Sequence, residues 1–140
     1  MIAYFDTSAL IPLVVEEPGS KVCARLWDEA GRVVSARIAY AEGRAALAQA
    51  HRLRRLTTSA LQEAVFQFDM LYEQLDRIEV DDDLVRRAGL LAEEQALRGY
   101  DAVHLAAAER IQDGDAVLIC GDARLCRAAR QMGFAVSQPQ

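Results

Sequence analysis

Four acidic residues stand apart from the other side chains that could do chemistry: Asp6, Glu42, Asp101 and Asp122, separated by 36, 59 and 21 residues. Asp6 closes the apolar run Ile2–Phe5, and Asp122 follows a second run, Ala116–Cys120, with Gly121 between. Glu42 has Ile38, Ala39, Ala45 and Ala46 as its neighbours three and four residues away, so no arginine is placed along its own helix to pair with it. An ionised carboxylate on such a face needs a metal, a cation from elsewhere in the chain, or exposure at the edge of a groove. Asp101 follows Gly99-Tyr100 and opens the nearly apolar run Ala102–Ala108. Each aspartate taken singly also reads as a helix N-cap, where a carboxylate accepts from backbone amides. Taken together, the four acids form a donor set for a hard cation such as Mg²⁺ or Mn²⁺, which takes carboxylates and waters as ligands. A cation so held lowers the pKa of a bound water and stabilises charge on a phosphoryl oxygen. With no Ser/His or Cys/His pairing to supply a nucleophile, this chemistry points to phosphodiester hydrolysis by water.

The elements that must position these acids alternate along the chain. Ile2–Phe5 reads as a buried strand, and Asp6-Thr7-Ser8 as the cap of a short helix over Ala9–Val15. The pattern predicts helices over Lys21–Glu29, Ile38–Leu56, 59–75, from 81–83 to near Gly99, over Ala102–Ile111, and after Asp122. Strands are predicted at Arg32–Ser35, Arg77–Val80, Ala116–Cys120 and Phe134–Val136. Such alternation describes an α/β domain with a mainly parallel sheet, spanning residues 1–140 as one unit, although strand order is not readable from it. In an open sheet of this kind, ligands bind beyond the carboxyl ends of the strands, where Asp6 and Asp122 fall. Acids on neighbouring strands there lie about 5 Å apart laterally.

Composition limits the alternatives. The chain has 140 residues with a net charge of −5, which argues against a binder whose affinity comes from overall basic excess. Its basic side is nearly all arginine, Lys21 being the single lysine. Three cysteines, Cys23, Cys120 and Cys126, show no CxxC spacing, so neither a disulfide framework nor a zinc site is expected, and a reducing cytoplasm is the default. No apolar run approaches the roughly 18 residues that would span a membrane. A dehalogenase-type phosphatase would need an acid two places after Asp6, where Ser8 stands, and a receiver domain would need a lysine where none occurs. Asp81–Asp83 reads as a cap favoured by the helix dipole. Trp27, Phe66, Phe68 and Tyr72 are expected in the core or at a dimer interface, and His104 in packing.

Strand-Asp6-Thr7-Ser8, Glu42 after Tyr40-Ala41, the block from Gly99 to Ala108, and Gly121-Asp122 together resemble the PIN domain family, in particular its VapC-type toxin branch. The resemblance runs over essentially the whole chain, and the block around Asp101 is its most specific part. It implies a three-layer α/β/α sandwich, a Mg²⁺- or Mn²⁺-dependent endoribonuclease, and the toxin of a type II toxin–antitoxin pair. Asp6, Glu42, Asp101 and Asp122 would be the acidic quartet that holds metal, with Ser8 in support. It also implies RNA as substrate, a homodimer, and a cognate antitoxin whose C-terminal segment covers the groove. Where the family commonly has Thr or Ser two places before the last acid, this chain has Cys120, and a thiol is a weaker hydrogen-bond partner than a hydroxyl. Arg37, Arg44 and Arg98 lie nearest the acids in sequence and are expected to grip the RNA phosphates, since guanidinium binds them bidentately. The alternative is a PIN-like module that acts through a partner complex without catalysis.

Overall fold

The computed structural model describes residues 1–140. Five strands form one sheet, β1 Ile2–Phe5, β2 Arg32–Ala36, β3 Asp76–Ile78, β4 Ala116–Ile119 and β5 Ala135–Ser137, in the order β3-β2-β1-β4-β5. Every neighbouring pair is parallel. The helices are α1 Thr7–Leu10, α2 Ser20–Glu29, α3 Ala39–Arg52, α4 Thr58–Gln74, α5 Asp82–Gln95, α6 Gly99–Glu109 and α7 Ala123–Gln131, with a 3-10 turn at Ile11–Leu13.

Alternation along β1 divides the core in two. Tyr4 faces a cluster built with Leu84, Leu91, Leu105 and Leu125 from α5, α6 and α7. Ala3 and Phe5 face the opposite cluster, with Leu10, Leu47 and Phe68 from α1, α3 and α4. Two helical layers therefore sandwich the sheet, the α/β/α arrangement expected. No helix is long and apolar enough to cross a membrane.

The chain reverses its direction of travel across the sheet at β1: β2 and β3 lie to one side, β4 and β5 to the other. That reversal opens a crevice beyond the carboxyl ends of β1 and β4, the place where such sheets bind ligands. The register pairs Phe5 with Ile119, and the Asp6 amide donates to the Ile119 carbonyl at 3.1 Å.

Several helix ends differ from the sequence reading for identifiable reasons. The first helix starts at Thr7, two residues early, because Asp6 caps it, and Pro12 tightens its continuation into the 3-10 turn. α3 stops at Arg52 rather than Leu56, where Arg54 takes a left-handed φ of 60°. α5 ends at Gln95 because Ala96 adopts a left-handed conformation, φ 53°, a geometry that L-residues take at a cost. α6 accordingly begins at Gly99, which puts Asp101 inside its first turn and not at its cap. Cys120 and Cys126 are paired as a disulfide across a Cα–Cα separation of 6.2 Å, a correction to the expectation of no disulfide framework and of a free thiol at Cys120, while Cys23 stays free. The turn at the end of β4 brings the two together, which residue spacing alone does not reveal.

Candidate active site

Asp6, Glu42, Asp101 and Asp122 line one open cavity of about 470 Å³, together with Thr7, Ser8, Arg98 and His104. Each acid arrives by a different route. Asp6 ends β1 and is 3% exposed; its Oδ1 accepts from the Ser8 hydroxyl at 2.7 Å and the Ala9 amide at 3.0 Å. Ser8 in turn accepts from the Gly121 amide at 2.8 Å, tying the end of β1 to the turn after β4. A Cβ at Gly121 would lie 3.1 Å from that hydroxyl, so this turn approaches α1 closely because residue 121 is glycine.

Asp122 caps α7, its Oδ1 accepting from the amides of Arg124 at 2.8 Å and Leu125 at 3.1 Å. Cys120, fully buried and bonded to Cys126, takes no part in holding it. The cap and ligand readings of Asp6 and Asp122 are thus compatible, because only one oxygen of each serves the backbone cap. Asp101 pairs with Arg98, Nε to Oδ2 at 3.1 Å, and the same guanidinium reaches Asp122 Oδ2 at 3.3 Å. Of the three arginines singled out from the sequence, Arg98 alone lines the cavity. Arg37 is held by Glu79 beside Tyr72, and Arg44 donates to the Tyr40 hydroxyl at 2.7 Å on the outer side of α3.

Glu42 finds the partner its own helix lacks 62 residues away. His104 Nε2 lies 2.7 Å from Glu42 Oε1, and the Thr7 hydroxyl donates to the same oxygen at 2.8 Å. Thr7 and the partner role of His104 are what sequence reasoning missed. The available signal was the placement of His104 one turn after Asp101, on the same face of α6. Glycine at 43 matters beside it, since a Cβ there would fall 2.1 Å from the Phe68 ring of α4.

The electrostatics follow from burial. Desolvation pushes Asp6 up to about 6, against the opposing pull of His104 and the hydrogen bonds from Ser8 and Ala9, with the Asp101 charge adding to the rise. Burial acts the same way on Glu42, yet the His104 hydrogen bond and charge and the Thr7 hydrogen bond outweigh it and hold Glu42 below the usual range. Four carboxylates face one guanidinium, so the cavity has a deficit of positive charge. The side chains as they stand do not draw three metal-ligating groups to one point. In donor type the set nevertheless fits a hard divalent cation: carboxylate oxygens, one of them buried and reluctant to ionise, already bridged in part by a cation, Arg98.

Comparison with known proteins decides the family. The PIN domain model matches residues 3–131. The chain belongs to the PIN domain family. Ribonuclease VapC49 of Mycobacterium tuberculosis is 39% identical over 139 residues, which cover 99% of this chain and 96% of the relative. In three dimensions, PAE2754 from Pyrobaculum aerophilum superposes with a TM-score of 0.70 at 19% identity, covering 97% of this chain and 83% of the other. A toxin–antitoxin complex from Klebsiella pneumoniae gives 0.67 at 20% identity, covering 99% and 98%. Within this PIN fold the four acids occupy the crevice beyond β1 and β4.

Proposed function

We propose that this PIN domain protein is an endoribonuclease dependent on Mg²⁺ or Mn²⁺ and the toxin of a toxin–antitoxin pair. The observation that carries the reading is the gathering of Asp6, Glu42, Asp101 and Asp122 around one cavity at the carboxyl edge of a parallel sheet. The ribonuclease name of a relative 39% identical and the toxin–antitoxin complex among the structural neighbours support it.

The four carboxylates would hold the metal, which when bound supplies a water of lowered pKa and charge stabilisation at the phosphoryl oxygen. Ser8 steadies Asp6 and keeps one of its oxygens committed. Thr7 and His104 fix Glu42 through a single oxygen, Oε1. Arg98 is 70% exposed and so has the freedom to turn from Asp101 and Asp122 toward a substrate phosphate, which it can grip bidentately. Arg37 and Arg44, outside the cavity, would guide more distant parts of the RNA through their field. A cognate antitoxin would cover the crevice, and Phe66 and Met70, exposed on α4, offer apolar surface to a second copy in a homodimer. The site of action is the cytoplasm.

The test is cleavage of a mixed RNA pool by the purified chain in Mg²⁺, in Mn²⁺ and in excess chelator, with Asp6→Asn as control. Discrete products that need metal and vanish in the variant are expected. Absence of both cleavage and metal binding in a folded chain overturns the reading in favour of a binding module.

A further inference from the structure

A histidine 2% exposed is costly unless both ring nitrogens are satisfied. His104 meets that condition through two different layers of the fold. Its Nε2 faces Glu42 Oε1 at 2.7 Å, and its Nδ1 faces the hydroxyl of fully buried Tyr4 at 2.8 Å. Thr7 Oγ1 stands 3.2 Å from the same Nε2 while donating to Glu42. The chain of contacts therefore starts on the central strand β1, passes through α6 on one face of the sheet, and ends on α3 on the other.

Donor and acceptor roles fix the end of it at Glu42. A carboxylate only accepts, so the proton sits on Nε2 and points at Glu42. At the other ring nitrogen, Nδ1 and the Tyr4 hydroxyl share a buried hydrogen bond of 2.8 Å that holds the ring plane. The two rings meet edge to face, with centroids 5.9 Å apart and planes at 76°. Neither ring has room to turn without leaving a buried polar atom unpaired. Both hydrogen bonds to Glu42 fall on Oε1, which leaves Oε2 as the oxygen available for a ligand.

We propose that His104, oriented by Tyr4, is a positioning residue that holds Glu42 so that Oε2 faces the metal-binding cavity. The inference deepens the function proposed above and rests on it. It assigns His104 no contact with metal or RNA: its action passes through Glu42. Orienting partners behind a metal ligand typically contribute 10- to 100-fold to affinity or activity.

The experiment uses the full chain and reads Mn²⁺ affinity by calorimetry, RNA cleavage as separate kcat and KM values, and thermal midpoint. His104→Leu is expected to weaken Mn²⁺ binding and lower kcat by roughly 10- to 100-fold with little change in KM. His104→Gln, which keeps an N–H donor near the Nε2 position, restores most of the loss. Tyr4→Phe removes only the outer hydroxyl and gives a smaller loss of the same kind; it decides the matter if His104→Leu fails to fold. The decisive comparison is Glu42→Gln/His104→Leu, which should behave like Glu42→Gln alone because the histidine has no other route to the site. Losses that multiply in the double variant, or unchanged Mn²⁺ affinity in a folded His104→Leu chain, overturn the inference while leaving the nuclease intact. A wild-type chain that neither binds Mn²⁺ nor cleaves RNA overturns both.

Discussion

The cavity has two rims of opposite construction. On one, Glu42 is gripped by Thr7 and His104, with Tyr4 behind, and the groups that hold it are buried or half-buried. On the other, Asp101 and Asp122 share Arg98, whose side chain is 70% exposed. The first rim is fixed before any ligand arrives, because each buried donor and acceptor would lose its partner on moving. The second is exchangeable at its Arg98 end, because that guanidinium stands in solvent, where its pairing is screened by salt, although Asp101 is only 14% exposed. The contrast is between one carboxylate placed by desolvated hydrogen bonds and two others bridged by an exposed guanidinium, and on the proposed function the first would give precision and the second access.

Breaking the fixed rim gives the largest effect. Glu42→Gln should reduce Mn²⁺ affinity and cleavage by at least about 100-fold, above the range for an orienting partner; an affinity within a few-fold of wild type would place Glu42 outside the site. The next effect is on stability. Folded Asp6 keeps its proton to about pH 6 while the unfolded chain releases it near 3.8, so the folded state binds more protons in that window. Metal-free protein should therefore lose up to about 3 kcal/mol from this group as pH rises from 4 to 6. Denaturant titrations at several pH values, compared with Asp6→Asn, would reveal the slope and its disappearance. Glu42 has the opposite sign: its folded pKa is lowered, and its contribution is lost as pH falls from near 4.5 through that lowered value.

Gly43→Ala tests the backing of the fixed rim. Its Cβ would strike Phe68, and the expected cost is about 1–3 kcal/mol, read as a lower thermal midpoint. Arg98→Ala tests the open rim and gives the smallest change. RNA KM should rise a few-fold, and the salt dependence of binding should flatten by about one phosphate contact. Mn²⁺ affinity should rise, the reverse of the His104→Leu result; if it falls, the two rims are not different in kind.

The open rim was more legible in the sequence than the fixed one. Asp122 on that rim, and Asp6 behind it at the end of β1, follow apolar runs, so their place at strand ends could be read from local pattern. Their adjacency depends on β1 pairing with β4, a contact between residues more than a hundred positions apart. Glu42 announced itself through what its helix lacked, but its partner His104 comes from the opposite layer, beyond the reach of helical spacing. Arg37 and Arg44 were close to Glu42 in sequence only; Arg37, before α3, is held by Glu79, and Arg44 on α3 turns to the Tyr40 hydroxyl, both outside the cavity. The helix ends moved where tertiary contacts or a left-handed residue such as Ala96 decided the matter.

Two of the four acids are also helix caps, and this shapes how such a chain can lose its activity. Asparagine caps a helix about as well as aspartate, whereas alanine forfeits about 1 kcal/mol. A single base change in an aspartate codon yields asparagine. On the proposed function, changes to asparagine at residues 6 and 122 therefore offer a short genetic route to a silent but folded shell, still able to engage whatever its outer surface engages. At Glu42 and Asp101 no cap is at stake, and the dead protein's shape depends instead on what becomes of His104 and Arg98.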